Sequence, residues 1–210
     1  MFSTDSPLMK TLSKIGNIII LNFLFLLGCI PIITIGTSIS ALYYAMMKSV
    51  RKERSYPMKE FLRAYKRNLV NGCLFTLGIA ACSFLLYVNR EYVALAQTTV
   101  SLIMIVIYDA LFCLLVFITL FLFPVMSRFE MTRISLLRLS LIMTFKHLPY
   151  TICLFAGFII CVMLLLWVLP IPFLFILPGA WCYASTYLVE RVFKHYMPKP
   201  KEGEDAWYYE

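Results

Sequence analysis

Four long apolar runs constrain this chain more than any other feature of its sequence. They cover Ile15–Met47, Leu69–Val88, Tyr92–Ser127 and Leu148–Val189, with lengths of 33, 20, 36 and 42 residues, and Asp109 is the one charged residue inside them. A helix of about 20 apolar residues crosses the hydrocarbon core of a bilayer, which is ~30 Å thick. Each run therefore provides one or two crossings, and we predict an all-α, polytopic membrane protein.

The composition excludes a soluble protein of this length. Hydrophobic residues make up 61% of the chain and charged residues 14%, whereas soluble domains average about 45–50% and about 25%. A small globule leaves too much of its surface in water to bury so many apolar side chains. Soluble enzymes, disulfide-stapled secreted domains and disordered chains are thus excluded.

Prolines and glycines divide two of the runs. Pro170 and Pro172 favour a turn between two helices in the fourth run. Pro31 and Gly36 interrupt the first run and leave two alternatives, a hairpin of two short helices or a single kinked crossing. The hairpin, with six membrane helices rather than five, is favoured by the charge distribution described next. The predicted membrane segments cover residues 15–31, 36–50, 69–88, 98–124, 149–169 and 172–189, within one domain at 1–197.

Basic residues lie almost entirely on one predicted side. Of the 19 Lys and Arg residues, eight lie between 48 and 68, four between 128 and 147, four after 190 and two before residue 15, which leaves only Arg90. The positive-inside rule then places both termini in the cytoplasm and Arg90 outside. Topology and anionic lipid headgroups account for the excess positive charge, so no nucleic-acid partner is predicted. Residues 198–210 are predicted to form a disordered cytoplasmic tail.

Two cytoplasmic segments are predicted to be amphipathic. Residues 57–70 place Phe61, Leu62, Tyr65 and Leu69 along one helical face, and residues 128–147 alternate arginines with apolar residues. Each segment is predicted to be an interfacial anchor or a docking surface for a partner. A shift of 80 residues aligns positions 65–67 with 145–147 and 73–75 with 153–155, which weakly indicates a parallel two-helix repeat.

Few polar side chains lie inside the predicted spans. An ionisable residue at membrane depth is by default a candidate functional residue, and no basic residue lies at the predicted depth of Asp109. We therefore expect a hydrogen-bonded or protonated carboxyl there rather than an ion pair. The candidate intramembrane polar site comprises Asp109, Asn22, Thr34, Gly36 and Ser38. Close helix packing is the alternative role of the small residues.

Catalytic and metal-binding motifs are missing from the sequence. Both histidines flank predicted spans, and none of the seven cysteines forms a CxxC pair. The chain has no HExxH motif, no glycine-rich phosphate loop and no histidine placed to activate a serine in a span. We therefore predict a non-enzymatic protein without cofactor or metal, which would need another protein to use ATP.

Several motifs, in order, resemble the YesL-like family of bacterial integral membrane proteins. They are NFLFLL at 22–27 with PIITIG at 31–36, FLRAYKRN at 61–68, FPVMSRF at 123–129 and LVERVFKH at 188–195. Ser127 stands where the family usually has alanine. This family has no established molecular activity, occurs mostly in Gram-positive bacteria and is commonly encoded near sugar ABC importers.

The resemblance implies a multi-pass protein of the bacterial cell membrane that is an accessory subunit, or an assembly or regulatory factor, of a carbohydrate ABC importer. Permease or ATPase subunits of the importer would be its partners, besides the anionic lipid bilayer. The candidate docking residues are Phe61, Arg63, Tyr65, Lys66, Arg67, Asn68, Phe123, Pro124, Arg128 and Phe129. The alternative function is an autonomous transporter or channel for small solutes that uses the Pro31–Gly36 break and Asp109.

Overall fold

Seven α-helices account for most of the described chain, which comprises residues 7–96, 98–167 and 176–197 of a computed structural model. Their bounds are Pro7–Gly28 (α1), Ile35–Ala45 (α2), Pro57–Ala94 (α3), Thr99–Arg128 (α4), Arg133–Lys146 (α5), Leu148–Trp167 (α6) and Leu177–Phe193 (α7). A 3-10 helix, Ile32–Thr34, precedes α2, and a π-helical turn, Met46–Arg51, follows it. The described residues contain no strand, which confirms the predicted all-α class.

Four helices are long and apolar enough to cross a membrane. They are Thr11–Gly28 of α1, the whole of α3, the whole of α4, and Leu148–Leu166 of α6. These four candidate spans are consistent with a multi-pass membrane protein. α2 and α7 have 11 and 17 residues, fewer than the about 20 that a full crossing needs. The turn predicted at 169–172 and the tail predicted at 198–210 lie outside the described residues.

The chain reverses direction between α1 and α2. At one end of the pair Gly28 lies against Ser38, and at the other end Lys14 Nζ lies 2.8 Å from Glu53 Oε1. The Thr34 hydroxyl donates to the carbonyl oxygen of Gly28 at 2.7 Å and so holds the reversal together. The structure thus has the hairpin, and the single kinked crossing does not occur.

The tip of this hairpin meets α3 and α4 partway along their length. The Gly36 amide donates to Thr76 Oγ1 at 3.1 Å, and the Phe123 ring packs against the same glycine. With a rise of 1.5 Å per residue, Thr76 lies about 14 Å from Arg67 and about 21 Å from Arg90 along α3. α3 and α4 therefore continue well beyond the tip of the α1–α2 hairpin.

Both long helices run through boundaries that the sequence predicted. α3 begins at Pro57, whose missing N–H costs nothing in a first turn, and it joins the amphipathic segment to the span at 69–88 in one helix. α4 begins with a capping box in which Thr98 and Ser101 exchange hydrogen bonds. It continues through Pro124 to Arg128, past the predicted end of the span at residue 124.

The structure does not reproduce the predicted repeat at the aligned positions 67 and 147. α3 is continuous through Arg67, whereas the aligned residue, His147, separates α5 from α6. Pro149 accounts for the break, because it lacks the N–H that would bond back into α5. The second amphipathic segment is therefore a separate helix rather than the start of a span.

α2 lies at the centre of the packed core. It contacts α1, α3, α4 and α7, and nearly all of its side chains are buried, namely those of Thr37, Ser38, Ser40, Ala41, Leu42, Tyr43 and Ala45. Small residues let neighbouring helices approach closely, as they do in membrane interfaces. Large apolar side chains on the outer faces of α1, α3, α4 and α6 are exposed, as expected for helices that face lipid.

Candidate functional site

Four of the five predicted intramembrane residues hold helices together. Thr34, Gly36 and Ser38 lie at the hairpin tip, where the Ser38 hydroxyl donates to the Thr34 carbonyl oxygen at 3.0 Å. Asn22 is fully buried on α1 and lies against Gly179 of α7. The structure places these residues at close helix contacts, which was the alternative role considered for the small residues.

The fifth residue, Asp109, lies elsewhere and has an ionic partner. Arg90 Nε donates to Asp109 Oδ1 at 2.8 Å, and both side chains are more than a third exposed. The expectation that no ion pair is available was wrong, because α3 and α4 are antiparallel and bring the two residues to one level. Asp109 lies about 21 Å along α4 from Phe123, which packs on Gly36. Asp109 and the hairpin tip are therefore separate features.

Most of the predicted docking residues pack into the protein instead of facing outward. Phe61, Asn68, Phe123, Pro124 and Phe129 are buried, and the Arg128 side chain is 3% exposed. Of the predicted apolar face, Phe61 packs inward, whereas Leu62 and Leu69 are exposed. The Asn68 amide donates to Ser40 Oγ at 3.0 Å. The buried residues are consequently unavailable to a partner. Tyr65 is half-buried, and Arg67, though exposed, donates to the Ser127 carbonyl oxygen at 2.8 Å.

The remaining two docking residues belong to an exposed surface. Lys59, Leu62, Arg63 and Lys66 are all exposed on the first turns of α3, and their spacing of three and four residues places them on one face. We call these four residues the basic stripe. They present positive charge around one leucine on the side of the molecule that the charge distribution assigns to the cytoplasm.

A buried ion pair joins the central helices. Arg128 Nη2 of α4 lies 3.0 Å from Glu190 Oε2 of α7, and their side chains are 3% and 2% exposed. The Tyr43 hydroxyl of α2 donates to the other oxygen, Glu190 Oε1, at 3.0 Å. Both carboxylate oxygens thus have partners, so this group connects three helices. Its only signal in the sequence is the lone acid in LVERVFKH.

Two basic side chains of the π-helical turn contact different helices, α3 and α7. Lys48 Nζ lies 3.2 Å from Glu60 Oε2 of α3, whose side chain is 3% exposed, and the Ser55 hydroxyl donates to Glu60 Oε1 at 2.7 Å. Arg51 donates to the Thr186 carbonyl oxygen of α7 at 2.8 Å. π-helical turns commonly occur at functional sites, and this one anchors α2 to two neighbours.

A pocket opens beside the same turn. It has a volume of about 840 Å³ and lies between α1, the π-helical turn and the loop that precedes α3. Its lining residues are Leu12, Ser13, Lys14, Asn17, Ser49, Glu53, Arg54, Ser55, Tyr56 and Pro57. Sequence reasoning missed this pocket because three separate segments form it and none of them carries a recognisable motif. We call it the α1 pocket.

Two histidines meet where α5, α6 and α7 come together. The rings of His147 and His195 are 5.8 Å apart, and the Tyr196 hydroxyl lies 3.4 Å from His147 Nε2. Burial lowers the pKa of His147 below its ordinary value of 6.5, and the positive charges of His195 and Lys146 lower it further. Neutral imidazole is therefore favoured at this junction.

Metal ligation has no candidate in the part of the chain that the structure describes. No group of three or more His, Cys, Asp and Glu side chains there is placed to hold a metal ion. All seven cysteines are free thiols.

Comparison with known proteins gives one finding. A family model described as "Protein of unknown function, DUF624" matches residues 18–90. That region contains the second half of α1, all of α2, the π-helical turn and most of α3. No curated protein and no solved structure matches the chain. The chain thus carries a DUF624 domain, and this is consistent with the resemblance to the YesL-like family.

Proposed function

We propose that this chain is a non-enzymatic membrane subunit that assists a carbohydrate ABC importer, as an accessory, assembly or regulatory factor in the bacterial cell membrane. The observation that carries the proposal is the basic stripe. Phe61 of this segment packs inward, but Lys59, Leu62, Arg63 and Lys66 stay exposed on the first turns of α3, which the charge distribution predicts to be cytoplasmic. The motif FLRAYKRN, which contributes three of these residues, supports the link to importers through the family resemblance.

The stripe suits a protein partner better than a structural role. Arg63 makes one contact, to Glu60 Oε1 at 3.4 Å, and exposed ion pairs of this kind contribute little to stability. Positive charge around an apolar residue favours binding to an acidic surface and steers its approach. The acidic patch of a cytoplasmic ATPase or of a permease loop is the partner we propose.

Autonomous transport receives less support from the geometry. It requires the Pro31–Gly36 break and Asp109 to share a pathway, but these features lie about 21 Å apart along α4. The groups at the break are engaged in helix contacts, and Asp109 is paired with Arg90. We therefore do not adopt this alternative.

The proposal is tested by crosslinking in cells that express the tagged full chain, followed by purification in detergent and mass spectrometry. We expect importer permease or ATPase subunits to be enriched. The charge-reversal variant K59E/R63E/K66E should lose most of that enrichment while remaining in the membrane at the parental level.

A matched control reverses charge on another helix. Arg191 and Lys194 are exposed at the end of α7, and R191E/K194E should keep the importer subunits bound. Equal loss in both variants, or no enrichment of importer subunits with the parent chain, would refute the proposal.

A further inference from the structure

The outer face of α5 is apolar although this helix lies at the surface of the molecule. Its inner face packs against the core and is buried at Leu136, Ser140, Met143 and Thr144. The opposite face carries large apolar side chains three or four residues apart, each more than a third exposed, at Ile134, Leu137, Leu141 and Phe145. A helix that is apolar on both faces is typical of a buried or a membrane position. Because α5 has only 14 residues, it is too short to cross a bilayer, and its outer face needs another apolar environment.

α5 lies at the end of the bundle that the charge distribution assigns to the cytoplasm. Its first residue, Arg133, donates from Nε to Asn71 Oδ1 of α3 at 2.9 Å, and Asn71 is one turn from Arg67. The residue that follows α5, His147, has its ring 5.8 Å from the ring of His195, just beyond the end of α7. The helix therefore extends from α3 to α7 along this end of the bundle. The inner leaflet is adjacent, because α6 begins directly after His147 and is a candidate span.

Positive charge without a counter-ion collects at the junction of α5, α6 and α7. Lys146, Arg191 and Lys194 are exposed there, and none of the three has a carboxylate partner within the described residues. The acid next to them in the chain, Glu190, is 2% exposed and is engaged in the buried ion pair with Arg128. The junction thus presents three cationic side chains with no acid to neutralise them.

The electrostatics of the neighbouring histidine reflect the same excess of positive charge. Burial lowers the pKa of His147, and the positive charges of His195 and Lys146 lower it further. A nearby carboxylate would raise this pKa instead, and none does so in the described chain. Lys146 Nζ lies 5.5 Å from the centre of the Tyr196 ring rather than beside an acid. These cations are therefore available to an anion from outside the chain.

An apolar face bordered by unpaired cations fits the inner leaflet of a membrane that contains anionic lipid. The apolar side chains of interfacial helices enter the boundary between headgroups and acyl chains, and Lys and Arg bind phosphate through charge-assisted hydrogen bonds. Each Lys or Arg near such a surface strengthens binding about fivefold. We propose that the outer face of α5 inserts into the inner leaflet and that Lys146, Arg191 and Lys194 bind the phosphate of an anionic phospholipid beside it. This inference does not depend on the importer partner proposed above.

Native mass spectrometry of the full chain in a non-ionic detergent tests the headgroup site. After mild delipidation the protein receives equal amounts of phosphatidylglycerol and phosphatidylcholine, and we expect it to retain phosphatidylglycerol preferentially. K146Q/R191Q/K194Q replaces only exposed side chains and should lower this preference by more than about tenfold. K59Q/R63Q/K66Q removes the same charge from the basic stripe and is the matched control, which should keep the preference. Equal retention of both lipids by the parent chain, or an equal loss of preference in both variants, would overturn the inference.

Fluorescence quenching in nanodiscs tests the insertion of α5. In a variant without the native cysteines, L141C carries an environment-sensitive fluorophore, and the lipids carry a spin label near the headgroup end of an acyl chain. We expect the spin-labelled lipid to quench the L141C fluorophore strongly and aqueous iodide to quench it weakly. K59C, at an exposed position of the basic stripe, is the control that iodide should quench more strongly. Quenching of L141C by iodide as strong as that of K59C would show that this face meets water, and quenching by neither agent would show that protein covers it. Either result would overturn the inference.

Discussion

At the scale of single residues, the buried pair of Arg128 and Glu190 is the most consequential feature. Two charges removed from water carry a large desolvation cost, which their mutual attraction and the hydrogen bond from Tyr43 offset. Removing one partner leaves the other charge buried without this counter-ion. The pair therefore makes the packing of α4 against α7 specific.

This argument predicts unequal effects of single and double replacements. E190L should lower the free energy of unfolding by about 3–5 kcal/mol, measured as a reduced midpoint in thermal unfolding in detergent. The double variant R128M/E190L should be less destabilised than E190L alone, because no unpaired charge remains. A double variant that is less stable than the single one would contradict the interpretation.

Glycine positions on α3 differ sharply although they lie on one helix. A Cβ at Gly72 would sit 2.8 Å from the Cα and backbone N of Thr37, whereas a Cβ at Gly78 would meet nothing within 4 Å. Backbone atoms cannot move aside, so the α2–α3 interface depends on the first glycine and not on the second.

G72A should therefore destabilise the protein by at least about 1–3 kcal/mol through overpacking. G78A, the matched control, should stay within about 1 kcal/mol of the parent, since alanine is also the better helix former. Thermal unfolding of the three purified proteins side by side measures both effects. Equal stability of the two variants would mean that α2 and α3 do not approach this closely.

At the scale of elements, the break between α5 and α6 creates a pH-sensitive junction. His147 faces His195, Lys146 and the rings of Tyr150 and Tyr196. Its lowered pKa means that the unfolded chain binds a proton more readily than the folded chain. The stabilisation that neutral His147 contributes is thus complete above pH 6.5. It is lost as the pH falls through the lower pKa that His147 has in the folded state.

Acidification from pH 7.5 to 5.5 should accordingly lower the unfolding midpoint, and H147Q should reduce that decrease. The neutral amide of glutamine is not protonated in either the folded or the unfolded state. Position 147 of this variant therefore contributes no pH dependence to the stability between pH 7.5 and 5.5. Fluorescence-monitored unfolding at both pH values provides the measurement. A pH dependence that H147Q leaves intact would assign the effect to other groups.

At the scale of the whole molecule, the hairpin and the charge distribution together define a topology. α1 and α2 form a reversal, so that Ser13 and Lys59 should lie on the same side of the membrane. Asn89, at the far end of α3, should lie on the opposite side. A single kinked crossing would instead have separated Ser13 from Lys59.

Cysteine labelling in intact cells tests this arrangement. In a variant without the native cysteines, N89C should react with a membrane-impermeant maleimide, whereas S13C and K59C should react only after permeabilisation. Reaction of S13C from outside would contradict the reversal. Reaction of K59C from outside would reverse the orientation of the entire protein.

How much of the structure the sequence predicts depends on which interactions are local. Spans, amphipathic segments and the proline-marked breaks depend on neighbouring residues. The predicted spans at 69–88 and 98–124 fall on α3 and α4, although both helices extend beyond the predicted ends. The partner of Asp109 was missed because Arg90 was assigned to an external loop, whereas it lies on α3, level with Asp109. The role of Phe61 and Phe123 was misjudged because exposure depends on what packs beside a helix.

The sequence by itself determined that this protein is surrounded by lipid. Its runs of 20 or more apolar residues exclude a soluble fold, since only lipid can surround them. Tertiary structure alone decided where its few polar groups act. It paired Arg128 with Glu190 across 62 positions and assembled the α1 pocket from three segments. Apolar burial is nearly non-directional and leaves a local signature, whereas ion pairs and pockets need atoms within a few ångströms, a condition that only the packed helices fulfil.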